Sequence, residues 1–193
     1  VDEQENEIDL TNITYPSVTL DLAAAECDKY AAFSAFKFIP ATERTNTGTI
    51  ELKRPFAQVN VATVDPAHYN VAITGTTLEV KGAGKTFNVA KQAASETVNV
   101  TYNWSGKVFL NDPLTVNNKN YDHYLAMGYV FVNGNVEVAY EINTGNHGTI
   151  LNTNEPISNV PVAQNYRTNI IGNLLTSDVD YNVVLDKNWA GEF

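Results

Sequence analysis

Cysteine is almost missing from this chain of 193 residues, in which Cys27 stands alone. An intramolecular disulfide is therefore impossible, and every zinc signature built on paired cysteines is excluded. A chain of this length buries roughly 70% of the surface its unfolded form exposes, so it can fold without either staple. Basic residues are scarce as well: 12 Lys and Arg stand against 22 Asp and Glu, a formal net charge of -10. That balance argues against nucleic acid, whose binding is dominated by Lys and Arg contacts to phosphates. No run of about 18 apolar residues occurs, so no transmembrane helix is read. An initiator methionine and a signal peptide are lacking too, and the chain reads as a mature or excised piece. Asp2, Glu3, Glu5, Glu7 and Asp9 crowd the first ten residues with no basic residue among them. They read as a solvated tail or linker, not as core.

What the chain has in plenty is a period of two. Val, Ile, Thr, Tyr and Phe alternate with polar residues through Thr49–Val64, Asn70–Ile73, Thr77–Val80, Thr86–Val89 and Thr97–Tyr102. Further runs rich in the same residues are Tyr124–Val132, Asn135–Ile142, Asn159–Val162, Tyr166–Leu175 and Asp180–Leu185. Each run is bounded by Gly, Asn, Asp or Pro, the signature of many short strands. Ten or so such strands predict an all-β fold, an antiparallel β-sandwich. Asn133-Gly134 predicts a type I′ hairpin turn between two of them. Only Asp21–Phe33 reads as a short helix, with Asp21 as its cap. In the Thr49–Val64 run, Ile50 and Leu52 share one face while Ala57, Val59 and Val61 share the other. Pro55 cannot donate to a ladder, so a bulge, an edge position or a change of sheet is expected at Arg54–Phe56. The polar stretch Pro40–Gly48 is the best internal boundary. It divides residues 1–48 from a domain over 49–193.

No catalytic constellation emerges. Gly82-Ala83-Gly84-Lys85-Thr86 lacks the glycine a phosphate loop needs at position 79, where Glu79 stands, and a strand follows it; a Gly-rich hairpin turn is the better reading. His68, His123 and His147 are not spaced as a local metal pair. No Gly-x-Ser-x-Gly elbow is present, and Cys27 lies among carboxylates that raise a thiol pKa. Asp178 and Asp180 would share a strand face, a pairing common by chance in an acidic chain. Asn12, Asn99 and Asn103 head glycosylation sequons, which matter only in a eukaryotic secretory route. Tyr102, Trp104 and Tyr121 lie near predicted loops and are candidate glycan contacts, although sandwich rims look the same. The residues call for no cofactor and no metal, and the chain is not read as an enzyme.

Three blocks go beyond pattern. Thr49-Ile50-Glu51-Leu52-Lys53-Arg54-Pro55-Phe56-Ala57-Gln58-Val59-Asn60-Val61 resembles the "LxRPFAQIN" strand of fimbrillin-like proteins of Bacteroides-type bacteria. The run from Val160 to Thr176, with Asn165-Tyr166-Arg167-Thr168-Asn169 at its centre, resembles their closing "VPVQRNYRTNIxGNLLT" strand. Tyr124–Val132 looks like the "YLAMNYVLV" strand between them. The resemblance implies two transthyretin-like β-sandwich domains, of which 49–193 would be the C-terminal one and 1–48 the remnant of the first with its linker, and export as a lipoprotein precursor to the outer membrane and fimbrium. It implies a fimbrial subunit or cell-surface adhesin whose partners are other subunits, joined by β-strand exchange, and host or bacterial surface ligands. Arg54, Pro55, Phe56, Gln58, Asn165, Tyr166, Arg167 and Asn169 carry the family motif as structural residues. The alternative is a carbohydrate-binding surface lipoprotein module.

Overall fold

Alternating side chains can bury one face of a strand and wet the other, and β4 (Gly75–Asn88) shows how far this chain uses that rule. Thr76, Leu78 and Val80 are buried while Thr77, Glu79 and Lys81 are half-exposed; beyond Gly82 the buried set moves to Ala83 and Phe87. The change of parity is a β-bulge. Val80 pairs with Val100 and Ala83 with Val98, so Lys81 and Gly82 together oppose Asn99 of β5 (Ala93–Ser105). Gly82 takes φ +83, a left-handed conformation that glycine adopts without steric cost. The expected Gly-rich hairpin turn is therefore not a turn. The chain runs straight through it and reverses at Val89–Gln92 instead.

The computed structural model describes residues 12–14, 19–22, 33–35, 49–63, 73–105, 114–116, 119–121, 124–145, 148–151, 155–174 and 180–187. The fold is all-β, and no helix occurs among the described residues. Asp21 and Leu22, the expected cap and start of a helix, lie in β2 (Thr19–Leu22); residues 23–32 fall outside the description. The other strands are β1 (Asn12–Thr14), β3 (Phe56–Thr63), β6 (Leu114–Val116), β7 (Lys119–Tyr121), β8 (Tyr124–Phe131) and β9 (Val136–Thr144). They continue as β10 (Gly148–Leu151), β11 (Ile157–Val160), β12 (Arg167–Asn173) and β13 (Asp180–Asp186). One sheet joins eleven of them in the order β10-β9-β4-β8-β3-β12-β13, with β11 on β9, β5 on β4, β2 on β5 and β1 on β4; β6 and β7 form a separate pair.

The bulge lets one strand serve two layers. Before it, Gly75–Lys81 pair with β9; after it, Gly84 pairs with Phe131 of β8 and Thr86–Asn88 pair with β1. The sheet thereby folds over on itself, sandwich-like, around a core that includes Leu78, Tyr102, Tyr140, Ile142, Val59, Val61 and Ile170. Not every pair is antiparallel: β2 runs parallel to β5 and β12 parallel to β3. Strands on both sides of the boundary read at position 48 share this sheet.

The expected hairpin at Asn133-Gly134 is absent. β8 pairs with β3 and β4, whereas β9 pairs with β4, β10 and β11. The turn carries the chain from one layer to the other, with Gly134 at φ +110 and Asn133 outside the positive-φ region. A type I′ turn requires both central residues there. By contrast, the break read at Arg54–Phe56 is real: β3 begins only at Phe56, and the preceding segment holds a lone bridge from Lys53 to Ser34.

Candidate functional site

β3 is buried along its whole length, Gln58 and Asn60 included, because strands flank both its edges. A polar side chain sealed this way must find a partner within the protein. Here the partners come from β12, more than a hundred residues away. Arg167 is in register with Gln58 and donates its Nε–H to Gln58 Oε1 at 3.1 Å. Gln58 Nε2 in turn contacts Met127 Sδ at 2.6 Å. Asn169 is in register with Asn60, whose Nδ2 donates to Asn169 Oδ1 at 2.8 Å. Both asparagines are 0% exposed, and Asn60 Oδ1 and Asn169 Nδ2 are left without a hydrogen bond.

The entry to this parallel seam is fixed by backbone. Asn165 adopts φ +67, a left-handed conformation that asparagine tolerates better than most residues. From there its N–H donates to Phe56 O at 2.8 Å and its Oδ1 accepts from the Arg54 N–H at 3.4 Å. Tyr166 O then accepts from the Gln58 N–H at 3.0 Å. Pro55 sits just before β3, where no ladder donor is needed. The buried Arg54 places its guanidinium 5.0 Å from the centre of the Phe33 ring, a cation–π contact. Phe56 stacks on Phe131 at 4.7 Å, and Phe131 on Phe87 at 5.5 Å, so one column of rings ties β3, β8 and β4. All eight motif residues named from the sequence meet at this seam.

The candidate glycan contacts fare differently. Tyr102 is 1% exposed and Trp104 3%, which puts both rings out of reach of a sugar. The Gln58 backbone faces the β12 side and the backbone groups of Ala57, Val59 and Val61 face β8, so Met127, Tyr129 and Phe131 of β8 direct their backbone groups to the opposite edge. Gly84 meets Phe131 there. The Tyr102 hydroxyl donates to Tyr129 O and accepts from the Tyr129 N–H at 3.1 Å, and Trp104 Nε1 donates to Met127 O at 3.1 Å. Two side chains thus do the work of a missing strand. Sequence reasoning saw the aromatic pair and missed this job, because the edge it closes lies far along the chain. Tyr121 belongs to β7, and its side chain lies outside the description. So do Cys27, His68, His123, His147, Asp178 and Trp189.

On the outer face of β4, β5 and β9 lies a hollow of about 240 Å³, lined by Thr77, Glu79, Thr101, Ala139, Tyr140 and Glu141. Its chemistry is hydroxyl and carboxylate, with no exposed ring on which a sugar could stack. Beside it Lys81 is held by Glu137 at 2.9 Å and Glu79 at 3.8 Å, and the bond to Glu137 raises the Lys81 pKa against the opposing effect of desolvation. Among the described residues no group of three or more His, Cys, Asp or Glu is placed to hold a metal.

Among the described residues β1, β2, β10, β11 and β13 each pair with a single strand, and the two longest open edges are β13 and the first part of β5. Residues 93–100 of β5 have no strand beyond them, but Glu96 breaks the run with φ +56 and pairs with Lys85 at 3.1 Å. Charge and an irregular backbone are known ways of blunting an edge. β13 pairs with β12 alone, through all seven of its residues, and Tyr181–Leu185 carry no charge.

A model of a family of unknown function, DUF6562, matches residues 6–193. The chain belongs to the DUF6562 family. No curated protein matches it. Among solved structures it is similar to proteins assigned to cell adhesion. One, from Bacteroides uniformis, is 12% identical with a TM-score of 0.38, over 72% of this chain and 53% of that one. Another, from Bacteroides ovatus, is 7% identical with a TM-score of 0.42, over 72% and 47%. A third, from Bacteroides eggerthii, is 13% identical with a TM-score of 0.36, over 71% and 57%. The DUF6562 chain spans about half the length of these proteins.

Proposed function

We propose that this chain is a non-enzymatic cell-surface protein of the adhesion type, a fimbrial subunit that assembles with its neighbours by β-strand exchange. The observation that carries the proposal is the β13 edge: seven residues laddered on one side, uncharged between Asp180 and Asp186, and open on the other among the described residues. Main-chain ladders give affinity without any side-chain chemistry, so such a subunit needs no catalytic cluster. The fimbrillin-like blocks support it as well. The first and last meet as one parallel seam, the middle one lies antiparallel to β3, and β13 hangs on the outer side of that seam. Cell adhesion, the role given to the three solved proteins above, is the role extended here to this chain. Export as a lipoprotein to the outer membrane belongs to the same proposal.

The test is assembly. The full-length protein, purified before and after protease treatment, is expected to form SDS-resistant ladders that disappear when Asp180–Leu185 is removed. A chain that stays monomeric throughout, at concentrations well above micromolar, would refute strand exchange while leaving the fold untouched.

A further inference from the structure

The turn at Asn133-Gly134 closes no hairpin, and its chemistry is unusual in this chain. Of 24 asparagines, Asn133 is the only one followed by glycine. Both residues are exposed, nothing among the described residues lies within 4 Å of where a side chain on Gly134 would begin, and no ladder bonds join β8 to β9 across the turn. Among the described residues one tether holds the side chain: Asn133 Nδ2 donates to Glu96 O at 3.1 Å.

We propose that Asn133-Gly134 is a self-modification site, at which the chain converts its own amide to a carboxylate with water as the only co-reactant. The Gly134 backbone nitrogen, on losing its proton, attacks Asn133 Cγ. A C–N bond forms, the Cγ–Nδ2 bond breaks, and Nδ2 leaves as ammonia with the proton returned. Water then opens the five-membered imide at either carbonyl and leaves aspartate or isoaspartate at position 133. Glycine favours the first step because no Cβ obstructs the approach of its nitrogen. The tether to Glu96 must open first, so conversion in the folded protein is slower than in the unfolded chain.

The product changes the corner. A carboxylate has no hydrogen to donate to Glu96 O, so the tether between the β8–β9 crossing and β5 is lost. A new negative charge then faces a carbonyl oxygen beside the Glu96 side chain. The site is a one-way timer on the crossing between the two layers, and its operation does not depend on strand exchange.

The folded chain would be incubated at mildly alkaline pH in oxygen-labelled water, and its peptides mapped by mass spectrometry. Labelled aspartate and isoaspartate are expected at position 133 ahead of every other asparagine, at a rate that rises with pH. Gly134→Ala should slow conversion several-fold, but φ +110 strains alanine there. Asn133→Gln is therefore the second variant: it keeps an amide donor, cyclises poorly and should show no conversion in a folded chain. Conversion of Asn133 only in urea, or at a rate indifferent to Gly134→Ala, would overturn the proposal.

Discussion

The Tyr102 hydroxyl can donate one hydrogen bond and accept another, and it spends both on the backbone of Tyr129. Its ring lies on Gly128, where a Cβ would come within 2.5 Å of it. Removing the hydroxyl leaves a buried N–H and a buried C=O unmatched at once. Tyr102→Phe is therefore expected to cost about 1–3 kcal/mol, read by urea unfolding, although it deletes one atom. Gly128→Ala should cost a similar amount by overpacking, about 1–3 kcal/mol. A second tyrosine gives a pH signature. Burial, reinforced by Tyr181, pushes the Tyr140 phenol from 10.0 up to about 12. The unfolded chain ionises this phenol first and binds fewer protons than the fold over that interval. The stabilisation is complete below pH 10.0 and is lost as pH rises to about 12. Unfolding curves across that window should show a steeper alkaline loss in the parent than in Tyr140→Phe. An equal slope in the two would assign the loss to other groups.

Asn60 and Asn169 pose the question of what a buried amide pair does for the element that carries it. Each keeps one polar atom unmatched, so the pair contributes less stability than its hydrogen bond suggests. It can still fix alignment, since a slip of β12 by one residue would turn Asn169 to the face opposite Asn60 and part the two amides. Asn60→Val or Asn169→Val alone is expected to destabilise by about 1–3 kcal/mol, because the surviving amide is left alone in the interior. The double variant should recover most of that loss or exceed the parent, as replaced buried polar pairs often do. A double-mutant cycle by equilibrium unfolding reads the coupling directly. Losses that simply add would show that the two amides act separately. The same seam marks what could be read from the sequence. β9 was legible from its alternation and β8, β12 and β13 from short apolar runs bounded by turn residues, and the motif blocks named all eight residues of the seam. That Gln58 meets Arg167 was not legible, since local period says nothing about a partner 109 residues away. The continuity of β4 was hidden because a bulge glycine and a turn glycine look alike in sequence. The sandwich crossing at Asn133-Gly134 was read as a hairpin for the same reason: turn chemistry fixes the bend, not the strands that follow it.

At the scale of the whole molecule the issue is why one edge is guarded and another is not. The β5 edge carries Glu96 in a left-handed conformation and the Lys85 ion pair, so an incoming strand would meet a kink and a charge. The β13 edge offers Tyr181, 39% exposed, and an exposed Asn182, with Val183 and Val184 packed against the core beside them. An incoming strand could extend the sheet there at little cost in desolvation, which is the hazard that soluble proteins suppress with lysine. Placing lysine at both exposed positions should therefore block assembly and spare the fold. Tyr181→Lys with Asn182→Lys is expected to keep the parent's circular dichroism spectrum while abolishing SDS-resistant ladders. Lysines at Ser95 and Thr97, exposed on the β5 edge, should leave the ladders intact. Loss of ladders from the β5 variant with none from the β13 variant would move the exchange edge to the other side of the sheet. Ladders that survive both would mean that neither edge is used.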